Sequence, residues 1–102
     1  MITLETPDTF SQQLKIRTLG QIFFVNVTFN NIEPDALDAE VAERGKGFTD
    51  AELILKLVKE WEVEVELTTE GLAQLHKKRP GVIRAVIDGY FLARMATIEK
   101  NW

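Results

Sequence analysis

Two stretches of alternating apolar and polar residues near the start of the chain restrict its fold more than any other feature. Apolar side chains recur at every second position through residues 21–30 (QIFFVNVTFN), and before them Leu14 and Ile16 alternate with polar residues. Period two places such side chains on one face of a strand. Gly20 can adopt the positive φ of a tight turn, so the pattern predicts an antiparallel β-hairpin. Residues 2–5 (ITLE) are a candidate third strand, because an isolated hairpin is only marginally stable.

The clearest helix signal lies in the middle of the chain, in the sequence FTDAEL. Thr49 and Glu52 have the spacing of a capping box, in which each side chain bonds the other residue's backbone N–H, and Phe48 precedes them as a hydrophobic staple. Apolar residues then recur at helical spacing as far as Trp61. The pattern predicts a helix over about residues 50–60, with Trp61 in the core.

Three further helices are predicted from start and stop signals. Pro34 suits a first helical position, and Gly45 can end a short helix. Thr68 or Thr69 can cap a helix that ends in a basic run. Pro80 is predicted to start the last helix, which continues to about residue 99. The fold class is therefore α+β, with a hairpin or small sheet followed by about four helices. At 102 residues the chain is expected to form one domain, β-rich over 1–31 and helical over 32–102.

Four glutamates alternate with apolar residues in the stretch WEVEVEL and the residue before it. They are Glu60, Glu62, Glu64 and Glu66. A catalytic carboxylate pair needs two acids in different environments, whereas these four would share one exposed edge. A calcium loop would need interleaved Asp or Asn ligands and a turn glycine. The pattern therefore predicts an extended segment with the glutamates in solvent and the alternate apolar side chains on the core.

The last predicted helix has more apolar surface than one interface requires. Tyr90 lies on a stripe assigned to the core, whereas a second stripe extends toward the end of the chain. Methionine and tryptophan on a protruding helix are typical of contact surfaces. We therefore predict that this second stripe binds a partner protein through Phe91, Met95, Ile98 and Trp102.

Composition excludes several classes of function. The chain has no cysteine and one histidine, His76, and it contains no Gly-rich phosphate loop or nucleophile elbow. No enzymatic activity, metal or cofactor is expected. No apolar run approaches the length of a membrane span, and no basic field with interleaved aromatic residues favours nucleic acid. Charge is uneven: residues 1–66 hold 13 acidic and 6 basic residues, and residues 67–102 hold 3 and 6.

The later part of the chain resembles the tail assembly chaperones of long-tailed phages and prophages. A capped helix runs into a tryptophan, an acidic connector leads to an L-T-x-E-x-L helix, and a proline opens the last helix. The matching residues are Phe48-Thr49-Asp50, Trp61, Leu67-Thr68, Glu70, Leu72, Leu75, Pro80, Ile87, Tyr90 and Lys100-Asn101. The resemblance covers residues 48–101, and the N-terminal strands fit it in kind.

This resemblance implies a chaperone without enzymatic activity, metal or cofactor. Such proteins bind the long, helical tape-measure protein before the tail tube polymerises around it, keep it soluble, and are absent from the finished virion. The expected partners are the tape-measure protein and, as a second candidate, the major tail protein, in the cytoplasm of the bacterial host. We also expect a homo-oligomer that associates through the last helix. Two other interpretations remain: a small adaptor or structural head–tail joining protein of a phage, and a small enzyme or metal-binding protein.

Overall fold

A three-stranded antiparallel sheet carries four helices in the computed structural model, which describes residues 1–44 and 49–99. The sheet has the order β1-β2-β3, so β2 is central. The predicted α+β class is confirmed. The elements in chain order are β1 Thr9–Thr18, β2 Gln21–Asn30, α1 Pro34–Arg44, α2 Asp50–Leu57, β3 Val58–Trp61, α3 Thr69–Lys78 and α4 Val82–Ala93.

The hairpin forms as its alternation predicts. β1 and β2 pair without interruption from Thr9↔Asn30 to Thr18↔Gln21, and the two-residue turn between them has φ of 51° at Leu19 and 76° at Gly20. Positive φ at both central positions is the requirement of the tight turns that match the twist of paired strands. Because the register is continuous, Leu14 and Ile16 share the inner face of the sheet with the odd-numbered residues 23–29 of β2, while Ile22 and Phe24 lie on the outer face.

The third strand is not the segment predicted from sequence. Residues 2–5 form no strand, and β3 pairs antiparallel with the opposite edge of β2 instead. α2 therefore ends at Leu57 rather than near residue 60, and Trp61 belongs to a strand. β-Branched Val58 adopts extended backbone at this point, and pairing with β2 satisfies backbone groups that a longer helix would have bonded internally.

The core lies between the inner face of the sheet and helices α2, α3 and α4. Phe29 from β2 is fully buried against α4, where its ring meets Tyr90 edge-on at 5.3 Å. The other fully buried large side chains come from β2 and the three helices: Val27, Ile54, Leu57, Leu72, Val86, Ile87 and Tyr90. α1 is tied to α2 by an ion pair of 2.8 Å between Glu40 and Lys56.

Helix starts follow their local signals closely. Thr49 and Glu52 form the predicted capping box, with the Thr49 hydroxyl accepting from the Glu52 N–H at 3.2 Å. Thr68 caps α3 by accepting from the Gly71 N–H at 3.0 Å. Pro80, however, is not the first residue of α4, because Gly81 takes the N-cap position with a φ of 89° and the helix begins at Val82. The predicted staple residue, Phe48, lies outside the described residues.

Trp61 is half-buried rather than fully enclosed in the core. Its indole N–H donates to the Val65 carbonyl at 3.2 Å, which closes the chain back on itself after β3. The apolar residues that alternate with the glutamates all pack against the core cluster, as predicted: Trp61, Val63, Val65 and Leu67. The predicted extended run is wrong in one respect, since the chain bends over residues 62–65.

Candidate partner-binding surface

The last turn of α4 is held in place by the hydroxyl of Tyr90. That hydroxyl accepts from the Ile32 N–H at 3.1 Å and lies 3.2 Å from the Ile32 carbonyl, to which it donates. The Arg94 guanidinium donates to the same carbonyl. Tyr90 itself is buried, with its ring against Phe10 and Phe29. The end of α4 is thereby fixed to the segment that follows β2, which gives the adjoining surface a defined position.

α4 ends six residues earlier than its apolar stripe predicts. The Met95 N–H bonds the Leu92 carbonyl at 3.1 Å, a tightened final turn, and residues 96–99 have no regular structure. Tyr90 is the last buried residue of the helix. Since helices in proteins are stabilised chiefly by burying one face, the helix has little to hold it together beyond that point. The helical stripe from Phe91 to Ile98 is therefore not continuous.

Large apolar side chains are nevertheless exposed together along this end of the chain. We call Phe91, Leu92, Met95 and Ile98 the terminal apolar patch; their exposed fractions are 45%, 67%, 66% and 89%. Phe91 is the best anchored, because its ring meets Tyr90 edge-on at 5.2 Å. Three of the four are the partner-binding residues predicted from sequence, and the fourth predicted residue, Trp102, lies outside the described residues. Leu92 was missed because it falls off the stripe at helical spacing.

A second apolar surface lies at the opposite end of the hairpin. Leu19, Ile22, Phe23 and Phe24 are all exposed there. The Arg79 guanidinium lies 4.9 Å from the centre of the Phe23 ring and donates to the Gln21 side chain at 2.6 Å. Alongside it is a cleft of about 490 Å³ between the hairpin, residues 62–65 and α3. Sequence patterning did not predict this cleft, because it exists only where three separate segments meet.

The four glutamates lie in solvent, as their alternation predicts. Glu62 has a structural contact, since its carboxylate accepts from the Asn26 N–H at 3.1 Å beside the end of β3. Within residues 1–44 and 49–99, no three or more His, Asp or Glu side chains are grouped so that they could hold a metal ion. His76 is exposed in the last turn of α3, next to Lys77 and Lys78. Within the same described ranges, no helix has the length and apolar character needed to cross a membrane.

Together these features define a small α+β protein whose exposed apolar end suits contact with another protein. The family model described as phage tail assembly chaperone matches residues 1–101, essentially the whole chain. The chain therefore belongs to the phage tail assembly chaperone family. This membership gives it a chaperone role in tail assembly, and chaperones of this kind are generally not enzymes. No curated protein and no solved structure shows significant similarity to the chain.

Proposed function

We propose that this chaperone binds the tape-measure protein in the cytoplasm of the bacterial host before the tail tube polymerises, and that it is absent from the finished virion. The observation that supports this proposal is the terminal apolar patch on a protein of the tail assembly chaperone family. Exposed apolar side chains clustered on a small protein are typical of sites that bind other proteins.

The patch has the chemistry expected for capturing an amphipathic helix. Phe91 supplies a rigid ring fixed against Tyr90, and Met95 supplies an unbranched side chain that can adapt to different partner surfaces. Helix recognition of this kind uses apolar anchors at helical spacing on the partner, which a long helical protein offers repeatedly. Ile98, and Trp102 as predicted from the sequence, would enlarge the contact beyond the end of α4.

Self-association and contact with the major tail protein belong to the same proposal. A homo-oligomer would present several copies of the terminal apolar patch to one long partner, and linked binding sites raise the overall affinity without new contacts. The acidic excess of residues 1–66 against the basic excess of residues 67–102 can steer association between copies.

Co-expression with fragments of the tape-measure protein from the same phage tests this function. Met95→Asp should reduce the soluble, co-purifying fragment severalfold while leaving the melting temperature nearly unchanged, because Met95 is two-thirds exposed. Leu19→Asp is the matched control: Leu19 is 70% exposed, lies in the turn between β1 and β2, and has a positive φ that aspartate tolerates. Equal capture by both variants would contradict the assignment of the patch.

The second part of the proposal concerns the mature particle. Mass spectrometry of purified tails should detect the tape-measure and tube proteins and no peptide of this chain. Recovery of this chain from the tails in stoichiometric amounts would instead identify it as a structural tail component.

A further inference from the structure

Residues 1–6, which we call the N-terminal arm, are exposed although they carry large apolar side chains. Ile2 and Leu4 are 97% and 100% exposed, and the arm forms no strand despite its alternating sequence. Leaving both side chains in water forgoes the free energy that burying them would contribute. A segment with strand patterning and no strand partner is therefore available to pair elsewhere.

The arm cannot pair with the strand that follows it in its own chain. The Asn31 side chain donates to the Pro7 carbonyl at 2.8 Å, and the Asn31 N–H donates to the Asp8 carbonyl at 2.8 Å. These bonds continue the β1–β2 register beyond Thr9 and hold the chain extended there. Folding the arm back along β1 would require a reversal at Pro7 and Asp8, which would break both bonds.

Each copy of the protein also carries a strand edge that could accept such an arm from another copy. β1 is ten residues long and occupies an edge position in the described sheet, with β2 on one side. An edge strand of this length presents a row of backbone donors and acceptors to any extended segment. The opposite edge strand, β3, has four residues and is followed by acidic positions 62, 64 and 66, which would repel Glu5.

The side chains of the arm match both faces of β1. With antiparallel pairing that puts Glu5 opposite Lys15, Leu4 lies opposite Ile16 and Ile2 opposite Thr18, so both apolar residues of the arm extend the inner face of the sheet. Glu5 then joins the outer face, which carries Lys15 and Arg17. Neither of these cations forms an ion pair within residues 1–44 and 49–99.

We propose that the N-terminal arm of one copy adds as a strand to the free edge of β1 in a second copy, with Glu5 opposite Lys15. This contact rests on the self-association included in the proposed function, and it uses a surface distinct from the last helix. The terminal apolar patch stays available for a partner. Tape-measure capture does not depend on the pairing.

Disulfide trapping tests the pairing directly, because the chain has no native cysteine. Purified Glu5→Cys and Lys15→Cys variants are mixed and oxidised, and we expect a disulfide-linked heterodimer, since directly opposed positions on neighbouring strands approach disulfide distance. Glu5→Cys mixed with Lys59→Cys, on the opposite edge strand, is the control. No excess of heterodimer over this control would overturn the proposal. So would an internal disulfide in dilute Glu5→Cys/Lys15→Cys double variant.

Sedimentation measures the energetic contribution of the same contact. Deleting residues 1–6 should abolish self-association without loss of the folded circular dichroism spectrum. Glu5→Lys should weaken it by about tenfold, because an attractive cross-strand pair becomes repulsive, and Lys15→Glu in the same chain should restore it. A parent chain that is monomeric at all concentrations, or a deletion variant that associates normally, refutes the pairing. Capture of tape-measure fragments by the deletion variant separately decides whether the proposed function stands.

Discussion

Removing one hydroxyl, in Tyr90→Phe, should loosen the end of α4 without disturbing the core. The ring of Tyr90 is 1% exposed and packs against Phe10 and Phe29, so the phenylalanine ring fills the same space. The two hydrogen bonds to Ile32, at 3.1 and 3.2 Å, are lost. Each hydrogen bond contributes about 0.5–1 kcal/mol net, so the two together give a loss of about 1–2 kcal/mol in the free energy of unfolding.

The carbonyl of Ile32 keeps one donor in this variant, the Arg94 guanidinium, whereas the Ile32 N–H is left without its partner. The expected loss corresponds to a fall in melting temperature of about 4–15 °C for a domain of this size. Urea unfolding followed by circular dichroism measures the loss in the free energy of unfolding. Thr28→Val is the control, because it removes a hydroxyl whose bond to Ser11 lies on the exposed sheet face and should change stability little.

Two results would refute this reasoning. If Tyr90→Phe is as stable as the parent, the two hydrogen bonds of the Tyr90 hydroxyl contribute nothing net. If Thr28→Val loses as much stability as Tyr90→Phe, the burial of a hydroxyl is not what decides how much its hydrogen bonds contribute to stability. Adding Arg94→Ala to Tyr90→Phe should cost more than the sum of the single changes, since both side chains donate to one carbonyl.

Three further substitutions test the packing that supports the surface. Trp61→Ala should lower the free energy of unfolding by about 2–3 kcal/mol, less than the loss at a fully buried tryptophan. Trp61→Phe should recover most of that stability, and a loss near zero in Trp61→Ala would contradict the core contact. Gly71→Ala should destabilise in thermal melts despite alanine's higher helix propensity, because its Cβ would collide with the backbone carbonyl of Glu66; stabilisation would contradict this contact. Thr49→Ala should cost about 1 kcal/mol through the lost cap, measured against Thr69→Ala, which leaves both caps intact.

Features decided within a few residues were predicted correctly. The hairpin follows from alternation and a two-residue turn, and the α2 start follows from the Thr49–Glu52 capping box. The exposed glutamates follow from period two, since the apolar residues between them pack on the core. Each of these signals acts between near neighbours in the chain, so the tertiary structure changes the local conformation that they specify very little. The candidate residues Phe91, Met95 and Ile98 were also found to be exposed, as a contact surface requires.

Features that depend on distant partners were decided by the tertiary structure. Residues 2–5 carry a strand-forming pattern but form no strand, and bonds from Asn31 hold the arm away from β1. Residues 58–60 were predicted to continue the helix, but they belong to β3, which pairs with the edge of β2. α4 stops at Ala93 because the core ends at Tyr90, although the apolar stripe continues. A free sheet edge and a buried helix face exist only after the chain has folded. Which segment pairs with the edge then depends on which one can reach it while losing the fewest of its other hydrogen bonds.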